Sequence, residues 1–258
     1  RGCSTLKTVR FASDSMLERI GSESFFNTTL TVISVPSTVK KIDDSAFEHC
    51  SSLITVSFSS LSVLVKIGNQ AFSNTGLRAI TVPATVVNIL DSSFKNCTSL
   101  ATLTFESNSV LETIGCESFR ATALTAVIVP RTVKFIYIGA FHGCSSLVTV
   151  TFANNNELIT IGQNAFYQTA LTAFTVPPKV EKIDGNAFGQ CNSLSSITVS
   201  CTSNVIIDNN AFTSSGVTSL SLPPAVTYAG SVTRNTIPSC SYCAIGKYSA
   251  TGDDGGGP

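Results

Sequence analysis

The sequence predicts a repeat solenoid of the α/β type. It should be a right-handed coil whose turns stack into one parallel β-sheet of about ten short strands, and three regularities point to it. Cys3, Cys50, Cys97, Cys144 and Cys191 recur every 47 residues. Phe25, Phe47, Phe72, Phe94, Phe119, Phe141, Phe166, Phe188 and Phe212 alternate 22 and 25 residues apart, with a closing step of 24. Each unit opens with a run of the form Leu-x-x-Val/Ile/Leu-x-Val/Phe. Self-similarity at a fixed period of this size marks a coil in which each unit buries its apolar side on its neighbours.

The repeat holds two half-units. The shorter runs from Thr29 to Cys50 and reads Leu30-x-x-Ile33-x-Val35-Pro36-x-x-Val39-x-x-Ile42, then Ala46-Phe47-x-x-Cys50. The longer runs from Ser51 to Thr75 and reads Leu53-x-x-Val56-x-Phe58, then Leu64-x-x-Ile67-Gly68, then Ala71-Phe72-x-x-Thr75. The opening run alternates and is rich in β-branched residues, so it predicts a strand. Such strands begin at Leu6, Leu30, Leu53, Leu77, Leu100, Leu124, Leu147, Leu171, Leu194 and Val217. Successive units run the same way, so the sheet is parallel. In the shorter unit a proline follows the strand and ends it, because it brings no N–H. The return limb then turns Val39 and Ile42, or Leu64 and Ile67, inward. The Ala-Phe pair is expected in a helical or 3₁₀ turn. The phenylalanine column forms the spine of the core.

These residues resemble a known family. The pattern Leu-x-x-Ile-x-Val-Pro-x-x-Val-x-x-Ile-x-x-x-Ala-Phe-x-x-Cys is similar to the BspA-like, treponemal-type leucine-rich repeat. The resemblance runs from about Gly2 to Leu222. It departs from the common leucine-rich pattern, in which Asn or Cys soon after the strand builds an asparagine ladder. The resemblance implies a cell-surface or secreted protein that adheres to, or binds, other proteins. It brings no catalytic residues with it.

The domain reading follows. Residues 1–227 form the solenoid, and 228–239 a terminal cover or linker. Residues 240–258 begin a cysteine-rich module with a flexible Gly/Asp tail. Cys240-Ser-Tyr-Cys243-Ala-Ile-Gly246-Lys-Tyr248 resembles the opening of an ephrin-receptor-like cysteine-rich repeat, which is extracellular and disulfide-bonded. Gly2-Cys3-Ser4-Thr5-Leu6 matches Gly143-Cys144-Ser145-Ser146-Leu147. The chain is therefore expected to start inside a repeat, as a piece of a longer protein or a processed product.

Cysteines 47 residues apart lie two rungs apart, or about 9–10 Å at the usual strand spacing. That exceeds the span of a disulfide, and Thr28, Thr75, Thr122 and Thr169 fill the rungs between. Cys3, Cys50, Cys97, Cys144 and Cys191 are thus expected as buried free thiols that pack as small apolar groups. Cys116 stands where other longer units carry Ser22, Asn69, Gln163 or Asn209, as a semi-exposed thiol. Cys201 is expected to pair with Cys240 or Cys243. The Cys-x-x-Cys spacing of Cys240 and Cys243 has neither a βαβ context nor a second ligand pair to make it redox or zinc chemistry. Asp43, Asp44, Asp91 and Asp184 recur at unit ends and suit turns. His49 and His142 occupy different turn columns, and no nucleophile, acid and base can be assembled around them. Asn27-Thr28-Thr29 and Asn96-Cys97-Thr98 are N-glycosylation sequons, with both asparagines in an exposed turn column.

The outward strand positions carry the functional reading. Alternation exposes Thr55 and Ser57, Ala79 and Thr81, Thr102 and Thr104, Ala126 and Ile128, Thr149 and Thr151, and Ala173 and Thr175. The result is a nearly uncharged Thr/Ser/Ala face, suited to a broad protein or glycan contact. It lacks the aromatic and Arg anchors of hot spots. Sixteen basic and sixteen acidic residues balance, against the basic excess of a nucleic-acid binder. No apolar run reaches membrane-spanning length. No cofactor and no enzyme activity are expected. The protein is read as an extracellular or cell-surface binding module, with a lateral or end-to-end assembly of its own copies, in a filament, coat or wall layer, as the alternative.

Overall fold

The computed structural model describes residues 3–228 apart from 13, 201, 202, 218–221 and 223–225. Cys201, Cys240 and Cys243, the cysteine-rich stretch and nearly all of the 228–239 segment lie outside the described residues. The rest is a parallel β-solenoid in which eight coils contribute two strands each, and the first and last described coils one.

The four-residue strands are those the alternation predicts. Val32–Val35, Thr55–Phe58, Ala79–Val82, Thr102–Phe105, Ala126–Val129, Thr149–Phe152, Ala173–Val176 and Ser196–Val199 each expose their first and third residues and bury the second. The strand at Leu6 shrinks to one bridge between Thr8 and Val32.

These strands do not form one continuous sheet. They pair in twos, each shorter-unit strand with the longer-unit strand that follows it, as Val32 stands opposite Thr55 and Ala126 opposite Thr149. Proline contributes to the break. Within a pair, the residue after the longer-unit strand donates its N–H to the last carbonyl of the shorter-unit strand. Glu106 does so to Val82 and Ala153 to Val129, both at 3.1 Å. Across the next seam the corresponding residues are Pro83, Pro130 and Pro177, which have no N–H to give.

The continuous sheet runs instead along the return limb. Ten two-residue strands, from Arg19–Ile20 and Lys41–Ile42 through to Thr227–Tyr228, pair in parallel in chain order. In four of the five longer units a glycine follows this strand, at Gly21, Gly68, Gly115 and Gly162, and Asp208 holds the place in the last. A Cβ on Gly68, Gly115 or Gly162 would sit 2.5, 2.6 or 2.8 Å from a backbone carbon of the preceding coil. Only a residue without a side chain allows coils to approach this closely.

The Ala-Phe segments are neither α-helical nor 3₁₀, and no helix occurs among the described residues. Each is a ribbon of three linked turns. Ala46, Glu48 and Cys50 donate to Asp43, Ser45 and Phe47, three residues back. The alternate amides of Ser45, Phe47 and His49 donate to Asn69, Ala71 and Ser73 of the next coil at 2.8–2.9 Å. A helix would spend all of these N–H groups within its own turn, whereas here half of them knit the coils together. The geometry requires positive φ twice per coil, 55° at Ser45 and 63° at His49. This is the third position of a turn that Asn and Gly tolerate best. Asn74, Asn96 and Gly143 fill it in other coils.

Inside, the rings of Phe25, Phe47, Phe72, Phe94, Phe119, Phe141, Phe166, Phe188 and Phe212 form one stack. Neighbouring centroids lie 5.1–5.6 Å apart and the planes stay within 15° of parallel. Such offset pairs add about 0.5–1.5 kcal/mol each to what burial supplies.

Candidate interaction surface

All twelve residues singled out on the strand limb stand on its exposed side: Thr55, Ser57, Ala79, Thr81, Thr102, Thr104, Ala126, Ile128, Thr149, Thr151, Ala173 and Thr175. Hydroxyls on adjacent rungs can meet, as Ser57 Oγ donates to Ser34 Oγ at 3.0 Å. Ile128 is the most exposed large apolar side chain on these strands, at 67%.

The face is not featureless. At the seam between Thr102–Phe105 and Ala126–Val129 a recess of about 370 Å³ opens. Leu103, Phe105, Ile128 and Pro130 give it apolar walls, with Glu106 and Arg131 at its lining. It lies at a seam whose two strands share no ladder hydrogen bonds, beside Pro130. Sequence reasoning missed it. Its signal was present in the proline that recurs after alternate strands only.

The thiol ladder occupies the inner edge of the turn ribbon. Cys50, Cys97, Cys144 and Cys191 are buried and not in disulfides. Each Sγ lies 3.1–3.2 Å from the hydroxyl of Thr28, Thr75, Thr122 or Thr169, and 2.9–3.0 Å from the carbonyl of Phe25, Phe72, Phe119 or Phe166 as donor. Burial pushes the Cys97 and Cys144 thiols up to about 11, against the opposing threonine hydrogen bonds. Burial likewise raises the Cys50 and Cys191 thiols, so all four are held toward the protonated form. Cys3 departs from the expectation of burial. It is exposed, because no preceding coil covers it among the described residues.

A second ladder runs along the outside of the return limb. Asp44 accepts the N–H of Asn69 at 2.8 Å, Asn69 that of Asp91 at 3.2 Å, and Asp91 that of Cys116 at 2.8 Å. Cys116 and Ile138, which follow in this column, bring no carboxylate or amide oxygen, and the run stops. Asp43 is buried against the guanidinium of Arg19, and Asp184 pairs with Lys182 at 2.7 Å. Each acid that recurs at the unit ends thus has a structural partner. Cys116 is half-buried, and its thiol is raised by burial and by the Asp91 charge.

On the turn ribbon, Lys95 and Arg120 converge on Glu117, the lysine at 2.6 Å. Burial opposes the Glu117 carboxylate, but these two cations outweigh it and lower its pKa. His142 packs edge-on to Tyr167 at 5.0 Å, and burial followed by the Arg120 charge lowers its pKa. His49 lies edge-on to Phe26. The two histidines sit in separate aromatic contacts and share no acid or nucleophile. Asn27 and Asn96 are both exposed.

Comparison with known proteins bears directly on the repeat. Residues 1–101 and 112–241 match the family described as BspA type leucine-rich repeat region, in six copies. The chain belongs to this family. Among solved structures, the pneumococcal vaccine antigen PcpA is 24% identical with a TM-score of 0.61, over 81% of this chain and 57% of that one. The chain thus spans a little over half of that protein, and at this identity the likeness is one of fold. A leucine-rich cell surface protein of Faecalibacterium prausnitzii is 21% identical with a TM-score of 0.45, over 89% of this chain and 74% of that one. A leucine-rich repeat protein of Eubacterium ventriosum is 18% identical with a TM-score of 0.41, over 81% and 77%. No match was found among curated proteins. Among the described residues no helix is long and apolar enough to cross a membrane.

Proposed function

We propose that this BspA-type solenoid is a non-catalytic, extracellular contact module that binds a protein or glycan through its strand face. The observation that carries the reading is the apolar recess at Leu103, Phe105, Ile128 and Pro130 within an otherwise hydroxyl-bearing, nearly uncharged face. It supplies the concave apolar anchor point that contact surfaces use, and the hydroxyls around it suit a polar rim. The surrounding hydroxyls carry no charge to repel or select a partner over long range, so affinity depends on local fit and on repeated contacts. A similar fold comes from a protein described as a vaccine antigen, in keeping with a place outside the cell. The ten-residue likeness at Cys240 to an extracellular cysteine-rich module agrees with it.

Self-assembly is the second reading. Leu61 is 79% exposed, and Val63 and Val65 are exposed beside it, an apolar area that a second copy could cover. Light scattering of the chain at micromolar concentration, followed by its exposure to immobilised matrix glycoproteins and a glycan array, separates the two. A monomer that binds one of these surfaces is expected. Filaments or large particles that bind none of them would replace the contact reading with the structural one.

A further inference from the structure

The two sequons occupy the same structural position, although they lie in coils of different type. Asn27 falls in a longer unit and Asn96 in a shorter one, each two residues beyond its column phenylalanine. Both adopt the left-handed conformation, with φ of 53° and 58°, at the corner where the turn ribbon faces solvent. The burial pattern across the two triplets is identical. The asparagine is exposed, the middle residue, Thr28 or Cys97, is buried, and the closing threonine, Thr29 or Thr98, is exposed. The middle residues belong to the thiol–hydroxyl ladder. The flanking groups are therefore held outward by packing that has its own structural cause. Other coils place His49, Ala121, Gly143, Gln168, Gln190 or Ser214 at this corner, none of which can take an N-linked sugar, and Asn74 is followed by Thr75-Gly76, which lacks the closing hydroxyl of a sequon.

We propose that Asn27 and Asn96 are N-glycosylated. The proposal rests on the extracellular reading above, because the transfer takes place on a secretory route. The donor is an oligosaccharide linked to a polyisoprenyl diphosphate. Asn Nδ2 displaces the diphosphate at the anomeric carbon, one N–H bond is lost, and the proton leaves with the lipid diphosphate. One N–H remains on each modified amide. At Asn96 it can keep the hydrogen bond that Nδ2 donates to Asn74 Oδ1 at 3.2 Å, so the modified coil retains its link to the coil before. Both glycans would rise from the turn ribbon. They would shield that edge from lateral contact and leave the strand face, with its recess, open to a partner.

The test uses the chain recovered from its source cells, divided into exterior and interior fractions. Peptides are released from glycan enzymatically in heavy-oxygen water and read by mass spectrometry. The expected result is labelled Asp at positions 27 and 96 in exterior material. Thr98→Ala should abolish the label at 96 while Thr98→Ser retains it, and Thr29→Ala should act likewise at 27. Exterior protein with either asparagine unmodified overturns the glycan assignment and leaves the contact reading standing. Protein confined to the interior with both asparagines unmodified overturns both.

Discussion

The burial of a thiol on every second rung, opposed by its threonine hydrogen bond, decides how the inner edge of the ribbon responds to pH. Cys97 and Cys144 have thiols raised from 9.0 to about 11 in the folded chain. A raised folded pKa contributes stability that is complete below the unfolded value and disappears as pH climbs through the folded one. The window is therefore pH 9 to 11, with a loss on the order of 2–3 kcal/mol per thiol. Denaturant midpoints should hold steady up to pH 8 and fall across that window, and the double variant Cys97→Ala, Cys144→Ala should flatten the fall. A thiol reagent at pH 7 should label the exposed Cys3 at once and leave the buried four untouched until the chain unfolds. Ser118 offers a test in the opposite direction. Its hydroxyl is buried without a hydrogen-bond partner, whereas Ser93, in the same column, donates to Gly68 and Leu90. Removing an unsatisfied buried hydroxyl relieves a cost of about 1–3 kcal/mol. Thermal melts should show Ser118→Ala stabilising and Ser93→Ala neutral or destabilising. The thiol column was legible because its 47-residue period is visible in a single residue type. The outer Asp44–Asn69–Asp91 ladder was not, since acids near turns are common and only the neighbouring coil shows which N–H they accept.

At the scale of the element, the longer unit depends on a glycine that follows its return strand. Gly115→Ala would place a methyl 2.6 Å from the carbonyl carbon of Leu90 and 2.8 Å from the oxygen of Ile89. Forcing the coils apart there should cost about 1–3 kcal/mol. Gly21 holds the same place in the first longer unit and has nothing within 4 Å. Gly21→Ala should change stability little in the same urea titration. Equal losses at the two sites would mean that the close approach is not what selects glycine. The four-residue strands were readable because alternation over four positions separates a buried from an exposed set. The return strands are two residues long, too short for period-two alternation to register. Their sheet had to come from coil stacking, not from local pattern. The turn ribbon was read as helical because Ala-Phe with polar flanks suits either structure. Competition for N–H groups between a coil and its neighbour decided the outcome.

Over the whole molecule, coil stacking turns a weak local preference into a long exposed face. Formal charge is zero, so no net charge draws a partner of either sign to the molecule. The strand face and the turn ribbon differ instead in relief. One has an apolar recess, the other a corner column of polar side chains with an ion cluster beside it. If copies associate, the exposed apolar area at Leu61, Val63 and Val65 should carry the contact. Leu61→Lys should then shift particle size in sedimentation without altering the melting temperature. Contact through the strand face is the claim on which the functional account depends. It is tested most directly by titrating the chain against an immobilised matrix glycoprotein or glycan that it binds. Wild type is compared with Thr104→Arg, Ile128→Arg on the strand face and with Gln163→Arg on a turn. All three positions are exposed, and surface changes of this kind move stability by about 0.5 kcal/mol or less. The account predicts at least a roughly tenfold loss of affinity, about 1.4 kcal/mol, for the strand-face variant and no change for the turn variant. Unchanged binding by the strand-face variant, or an equal loss in both, would contradict it.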